Sequence, residues 1–220
     1  CAQLNVNDDG TVSLIEGSTD IGGSRTSLSQ QAAEVLGIPV TDIHPSVVDT
    51  DSIGFTFLTG GSRTTYATGW AVYLAAKDVV TQSIERAAQI WGIDKSDVTY
   101  NKGTLKSKNN AESMSFKELA KELNDTGGPI TGNGNVNPKT EGASYAGNIV
   151  DVKVDPETGK VEILRFTVVQ DAGKAIHPSY VEGQMQGGSV QGIGWALNEE
   201  YFMTGEGKMA NSTLLDYRMP

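Results

Sequence analysis

One pentapeptide, Gly-Gly-Ser-Arg-Thr, occurs twice in this chain, at residues 22–26 and 60–64. Each copy stands directly in front of a helical pattern. A glycine pair lets the backbone turn tightly and approach another group closely, and Ser and Thr suit the start of a helix. The repeat therefore demands a fold that sets a helix behind a glycine-rich loop, twice. Either copy alone is satisfied by an ordinary N-capped helix. Two copies favour a cradle for an anion or a cofactor. A helix N-terminus carries about half a positive charge. Ser24, Thr26, Ser62, Thr64 and Thr65 offer hydroxyls beside the backbone of Gly22, Gly23, Gly60 and Gly61, and Arg25 and Arg63 can grip phosphate with two parallel bonds.

The remaining pattern supplies strands to feed these loops. Residues 2–6 and 11–16 alternate apolar and polar around Asn7-Asp8-Asp9-Gly10, a β-hairpin signature. Leu28, Ala32, Val35 and Leu36 share one helical face, which Gly37 and Pro39 terminate. Residues 43–48 read as a strand. The longest helical pattern covers 67–91, with Val72, Ala76, Val79, Val80, Ala87 and Trp91 in phase and Gly92 as its stop. A short strand pair is expected at 98–100 and 103–105, and a helix at 115–123 opening on a Ser115/Glu118 capping box. Residues 124–142, rich in Gly, Asn, Pro and Thr, read as a long loop or linker. Beyond it come strands at 147–154 and 160–170 around a turn at 155–159, and a helix from about 181 to 198. Residues 200–219 read as a strand, a turn at 205–207 and a further extended run. The expected class is α+β, with mixed β-sheets flanked by helices in two lobes, about 1–125 and 143–220. The approach to the second helix-bearing loop, Asp171-x-Gly173, echoes Asp20-x-Gly22. The echo suggests two strand–loop–helix units facing one site.

Composition narrows the partners. The formal net charge is −10, and the 17 Lys and Arg are scattered rather than clustered. Nucleic acid is thus an unexpected partner. No apolar run approaches the roughly 20 residues that span a bilayer, and no signal peptide is visible at the start. A cytoplasmic setting and no membrane partner are the simplest expectation. A single cysteine, Cys1, and two histidines, His44 and His177, leave no thiolate or histidine-rich metal site. The chain begins with Cys1 rather than Met, as a processed product or a piece of a longer chain would.

Residues 182–200, EGQMQGGSVQGIGWALNEE, place glycines at 183, 187, 188, 192 and 194 inside a helical pattern. Each costs up to about 1 kcal/mol relative to alanine. Gln184 and Gln191 lie seven residues apart, two turns along one face. They can address one ligand, or the glycines can serve close helix packing with the polar residues outward. Glu199 and Glu200 are adjacent, about 100° apart on a helix, and do not form a cooperating pair. Asp49-Thr50-Asp51 lacks the spacing of a calcium loop and reads as a turn, as does His177-Pro178. No nucleophile elbow and no P-loop is present. No catalytic residue and no metal ligand is assigned.

Taken in order, the stretches TDIGGSRTSLSQQAAEVLGIP, DTDSIGFTFLTGGSRTTYATGWAVYLAA, VVQDAGKAIHPSYVEGQMQGGSVQGIGWALNEEY and LLDYRMP resemble one family. It is the molybdenum-binding subunit of the xanthine dehydrogenase and aldehyde oxidase hydroxylases, in its C-terminal half. The resemblance covers nearly the whole chain and is weakest across 95–142. It implies a molybdenum–pterin cofactor, in bacterial members usually as a cytosine dinucleotide. It implies that Gly61 and Ser62 lie close to the pterin and the metal's oxygen ligands, that residues 62–65 hold pterin or phosphate groups, that residues 22–26 form the facing loop, and that Gln184 and Gln191 line the pterin. The parent protein would oxidise a small-molecule substrate, an aldehyde or an N-heterocycle, with oxygen from water. Electrons would leave through iron–sulfur and FAD partners.

The chain departs from that pattern in two respects. Many relatives carry Asp-x-Gly-Gln-Gly in the first loop, where this chain has Asp20-Ile21-Gly22-Gly23-Ser24, so the glutamine contact is missing or comes from another residue. The family's catalytic glutamate follows a tyrosine–proline ending like the one here, and the sequence stops at Pro220, before it. The resemblance therefore implies a fragment that needs the remainder of the molybdenum subunit and does not turn over alone. The alternative is a non-catalytic binding or assembly module that keeps the cradle without the chemistry.

Overall fold

A computed structural model of the chain describes residues 1–49, 51–139 and 143–220. It divides into two compact units, Cys1–Glu141 and Gly142–Pro220. The fold is α+β, with several small sheets and helices.

In the first unit, β1 (Ala2–Val6) and β2 (Val12–Glu16) form the expected hairpin, closed where Asn7 N–H donates to Thr11 O at 2.9 Å. Strand β3 (Ile43–Val47) lies parallel to β2, which requires a crossover. The chain makes it through the first Gly-Gly-Ser-Arg-Thr loop and α1 (Ser24–Leu36), giving a strand–helix–strand unit. After β3 the second loop leads into α2 (Thr64–Trp91), a helix of 28 residues. Alternation along β1 and β2 turns Ala2, Leu4, Val6, Val12 and Leu14 to one face, where Leu28, Ala32, Leu36, Val72, Ala75, Ala76 and Val79 of the two helices bury them. At about 25 cal/mol per Å² of apolar surface, this two-layer contact is the main stabilising term of the unit. A separate antiparallel sheet joins β4 (Val98–Asn101), β5 (Thr104–Ser107) and β6 (Ser113–Ser115). The helix α3 (Phe116–Glu122) follows, its start fixed by the reciprocal Ser115/Glu118 capping box.

The segment read from sequence as a connection contributes structure. Ile130 is buried, and β7 (Thr131–Gly134) pairs antiparallel with β1, so the sheet runs β3-β2-β1-β7. Its glycines have a reason: a Cβ at Gly132 would fall on the Ala75 carbonyl of α2, and one at Gly134 on the Ala71 carbonyl. A glycine strand here is the only kind that lies flush on the helix backbone. Residues 140–142 of that segment lie outside the described residues, as does Thr50.

In the second unit, β8 (Ala146–Val154) and β9 (Val161–Gln170) form a hairpin with a register shift at Asp151/Val152. The helix α4 (Pro178–Leu197) runs through all its internal glycines. Together they line an apolar groove of about 500 Å³. The strand and extended run expected over 200–219 do not form. That stretch is a set of turns around one isolated bridge, Met203 to Met209. Asn211 organises it, accepting from Phe202 N–H and donating to Glu200 O. Local hydrogen bonding of an asparagine side chain takes the place of a ladder.

Candidate functional site

The two Gly-Gly-Ser-Arg-Thr loops lie side by side in the first unit, joined by bonds from residues around each. Ser18 Oγ lies 2.6 Å from Thr68 Oγ1, both side chains buried. Thr19 N–H donates to Thr59 Oγ1 at 3.2 Å, and Gln31 Nε2 donates to Thr65 O at 3.4 Å. Gly69 makes room for that last contact, since a Cβ there would strike the Gln31 amide.

The identical pentapeptides adopt different registers. In the first loop Gly22 and Gly23 are left-handed, with φ 65° and 74°, and α1 begins at Ser24. In the second loop Gly61 and Ser62 are left-handed, with φ 65° and 59°, and α2 begins at Thr64. A serine held there costs about 1–2 kcal/mol, and such strain concentrates at functional sites.

Their electrostatics differ as well. Asp20 accepts from Ser24 Oγ at 3.2 Å, Arg25 N–H at 3.1 Å and Arg25 Nε at 2.7 Å. The start of α1 therefore already holds a carboxylate. The Arg25 amide bond, first, and the guanidinium keep that carboxyl below the usual aspartate range. Position 58, which corresponds to Asp20, is leucine. Among the described residues Arg63 hydrogen-bonds only to the Leu58 carbonyl at 3.3 Å, and its guanidinium sits 5.3 Å above the Phe57 ring. The N-cap residue of α2 offers no side-chain cap. Gly61, Ser62 and Thr65 are exposed, and no described atom lies within 4 Å of where a Gly61 Cβ would stand.

Thus the structure brings Gly22, Gly23, Ser24, Arg25 and Thr26 beside Gly60, Gly61, Ser62, Arg63, Thr64 and Thr65. Ser24 is buried and, with Arg25, turned to Asp20. The second loop, with small residues, an open backbone and an uncapped helix, fits a flat polar ring or a phosphate.

Gln184 and Gln191 belong to the second unit. Both are exposed on α4; Gln184 lines the apolar groove, and Gln191 is not among the residues that do. A Cβ at Gly183, Gly187, Gly188 or Gly192 would meet no described atom within 4 Å. Glu199 and Glu200 follow the end of α4 without acting as a pair, Glu199 accepting from Tyr217 Oη at 2.7 Å. His177-Pro178 is a helix start rather than the expected turn, with His177 the N-cap residue of α4 and stacked on Tyr180 at 3.8 Å; Asp49 accepts from Asp51 N–H and Ser52 Oγ, as turns do. Among the described residues no group of three His, Cys, Asp or Glu is placed to hold a metal ion, and no helix is long and apolar enough to cross a membrane.

Sequence reading missed the polar residues beneath the loops: the buried Glu16, Ser18 and Thr68, and the half-buried Thr59. One signal was available. Val12, Leu14 and Glu16 share the inward face of β2, so the alternation itself places a carboxyl in a core position.

Comparison with known proteins identifies the family of the chain. The molybdopterin cofactor-binding domain family matches residues 1–220. The xanthine dehydrogenase molybdenum-binding subunit of Escherichia coli O157:H7 is 35% identical over 100% of this chain and 30% of its own length. A subunit of the 6-hydroxypseudooxynicotine dehydrogenase complex of Paenarthrobacter nicotinovorans is 30% identical over 99% of this chain and 28% of its own. Among solved structures, quinoline 2-oxidoreductase from Pseudomonas putida 86 superposes with a TM-score of 0.81 at 26% identity, over 100% of this chain and 29% of that one. The Cu,Mo-CO dehydrogenase shares the fold with a TM-score of 0.85 at 24% identity, over 100% and 28%. The chain thus spans under a third of the length of these relatives, which are oxidoreductases.

Proposed function

Since this chain belongs to the molybdopterin cofactor-binding domain family, we propose that its two paired loops hold a molybdenum–pterin dinucleotide within a larger molybdenum hydroxylase. One observation carries this reading. Two glycine-rich loops stand side by side ahead of two helices, and only the first is supplied with its own carboxylate.

In this reading Gly60, Gly61, Ser62, Arg63, Thr64 and Thr65 form the principal seat. Gly61 admits the ring or phosphate against bare backbone, and the hydroxyls of Ser62 and Thr65 donate to its oxygens. The N-terminus of α2 offsets its negative charge, against the protein's overall charge of −10. Gly22, Gly23 and Thr26 form the facing wall, while Ser24 and Arg25, held by Asp20, keep that wall rigid. When bound, the group supplies the redox chemistry for oxidising an aldehyde or N-heterocycle with oxygen from water. Iron–sulfur and FAD partners carry the electrons away, and the cofactor is in the cytosine dinucleotide form.

The test is elemental molybdenum, with acid-released nucleotide, on the full-length protein purified from its own source. Near-stoichiometric molybdenum with a cytosine nucleotide is expected. A folded, undegraded protein with neither would overturn the reading in favour of a non-catalytic binding module.

A further inference from the structure

Among the described residues, Glu16 is the one carboxylate fully withdrawn from solvent, at 0% exposure. It ends β2, on the same inward face as Val12 and Leu14, where a leucine would simply extend the core. No cation lies within ion-pair distance of it among the described residues. Its Oε1 is buried without a hydrogen-bond partner there. Burial pushes the carboxyl's proton affinity up. A buried carboxyl with no counter-ion is costly to keep, so its one strong bond is where its use lies.

That bond is to the backbone beneath the loops. Oε2 accepts from Ser18 N–H at 2.6 Å. Ser18 in turn meets Thr68 on α2 through its hydroxyl, and the next amide, Thr19, binds Thr59 just ahead of the second loop. Between them Gly17 carries no side chain, because Thr56 Oγ1 sits 2.7 Å from where its Cβ would be. Glu16-Gly17-Ser18-Thr19 therefore works as a clasp: the carboxyl sets the peptide at Ser18, the glycine lets Thr56 close in, and the hydroxyl and amide reach across.

We infer that Glu16 is a positioning residue of the cofactor cradle, setting the spacing of the two Gly-Gly-Ser-Arg-Thr loops through Ser18 and Thr68. The inference rests on the cofactor reading above and extends it to a residue that touches no ligand.

The test compares Glu16→Gln, which keeps an acceptor oxygen, with Glu16→Leu, which keeps the bulk and removes it, and with Thr68→Val at the far end of the link. Hydrogen exchange is read over residues 17–26 and 59–69, with 70–91 as the internal reference, alongside molybdenum and nucleotide per chain of the full-length protein. Glu16→Leu is expected to raise exchange in both loops about tenfold. It should also cut cofactor content to about a tenth, in the manner of lost outer-shell support. Thr68→Val should do the same to the second loop, and Glu16→Gln should restore both readouts. Wild-type exchange at both loops in Glu16→Leu overturns the inference, as does a Glu16→Gln that fails as badly as leucine. If Glu16→Leu does not fold, the Thr68→Val and Glu16→Gln arms decide alone. If the wild-type protein carries neither molybdenum nor nucleotide, the cofactor reading falls, and the clasp is judged on exchange.

Discussion

Replacing Gly134 by alanine probes the close approach of β7 to α2 in the first unit. The new Cβ would fall on the Ala71 carbonyl oxygen, with the Ala75 nitrogen at 2.8 Å and the Ala71 carbonyl carbon at 2.9 Å. All three are main-chain atoms of a helix, so no rotamer change relieves the contact. Either β7 lifts off the helix, or α2 bends. Strand β7 is an edge strand, paired with the one strand β1 with Ala2 opposite Gly134 and tied to α2 through the flexible side chains of Gln82 and Asp78, so it is the element that moves. Overpacking costs about 1–3 kcal/mol even where side chains can adjust; against rigid backbone the cost should be about 3 kcal/mol. For a chain of this size that lowers Tm by about 6–12 °C. The control is Gly61→Ala, where no described atom lies within 4 Å and the φ of 65° is at issue. That backbone term is about 1–2 kcal/mol. Thermal melts followed by circular dichroism order the two variants, and hydrogen exchange locates the damage at 71–79 and 130–134. A Gly134→Ala protein that melts with wild type, or falls no further than Gly61→Ala, would refute the flush packing of β7 on α2.

Other perturbations separate fold from function. Ser62→Gly relieves a left-handed serine worth about 1 kcal/mol and offsets part of that gain by backbone entropy. Melting should hold or rise while molybdenum content falls; a clear drop in Tm would make Ser62 a fold residue instead. Glu16→Gln should flatten one limb of the pH–stability curve. Burial raises the folded carboxyl above its ordinary 4.5, so the folded state keeps a proton that the unfolded chain has released. Wild-type stability is therefore full at acid pH and falls as pH climbs from about 4.5 through the raised value, by about 1.4 kcal/mol for each tenfold in proton affinity. The charges that bear on Glu16 are Asp20, Arg25 and the Cys1 ammonium, all retained in the variant. Urea titrations of both proteins from pH 4 to 8 check this (about 1–3 kcal/mol per M for such chains), and parallel curves would show that Glu16 is ionised when folded.

Regular elements were legible wherever one periodicity ruled. The hairpin, α1, α2, the capping box at Ser115 and the β8–β9 pair all follow from local alternation or from a cap. Strand β7 was hidden because glycine and asparagine signal a loop locally, while here glycine answers a neighbour remote in sequence, the backbone of α2. The 200–219 stretch misled in the opposite direction. Its apolar residues suggest strands, but Asn211 binds Phe202 and Glu200 locally, and no partner strand is at hand among the described residues. At the site, the loops were visible as motifs, and the polar clasp beneath them was not. A buried Ser–Thr contact between residues 18 and 68 leaves no periodic trace.

The two pentapeptides show why a motif's residues do not by themselves assign its task. Both copies present the same five residues, yet the residue two places ahead decides what each arginine does. Asp20 offers a carboxylate, and Arg25 takes it together with the first amides of α1. Leu58 offers only its carbonyl, so Arg63 is held by one 3.3 Å bond and a ring face. A carboxylate at a helix start contributes about 0.3–1 kcal/mol, which α1 has internally and α2 lacks. The second helix is therefore the one with stabilisation still to gain from an external anion. Its loop is also the one that keeps a serine in a left-handed conformation and its glycine open to solvent. An internal carboxylate closes one copy, its absence leaves the other available, and the bonds from Ser18 and Thr19 hold the two at a fixed spacing.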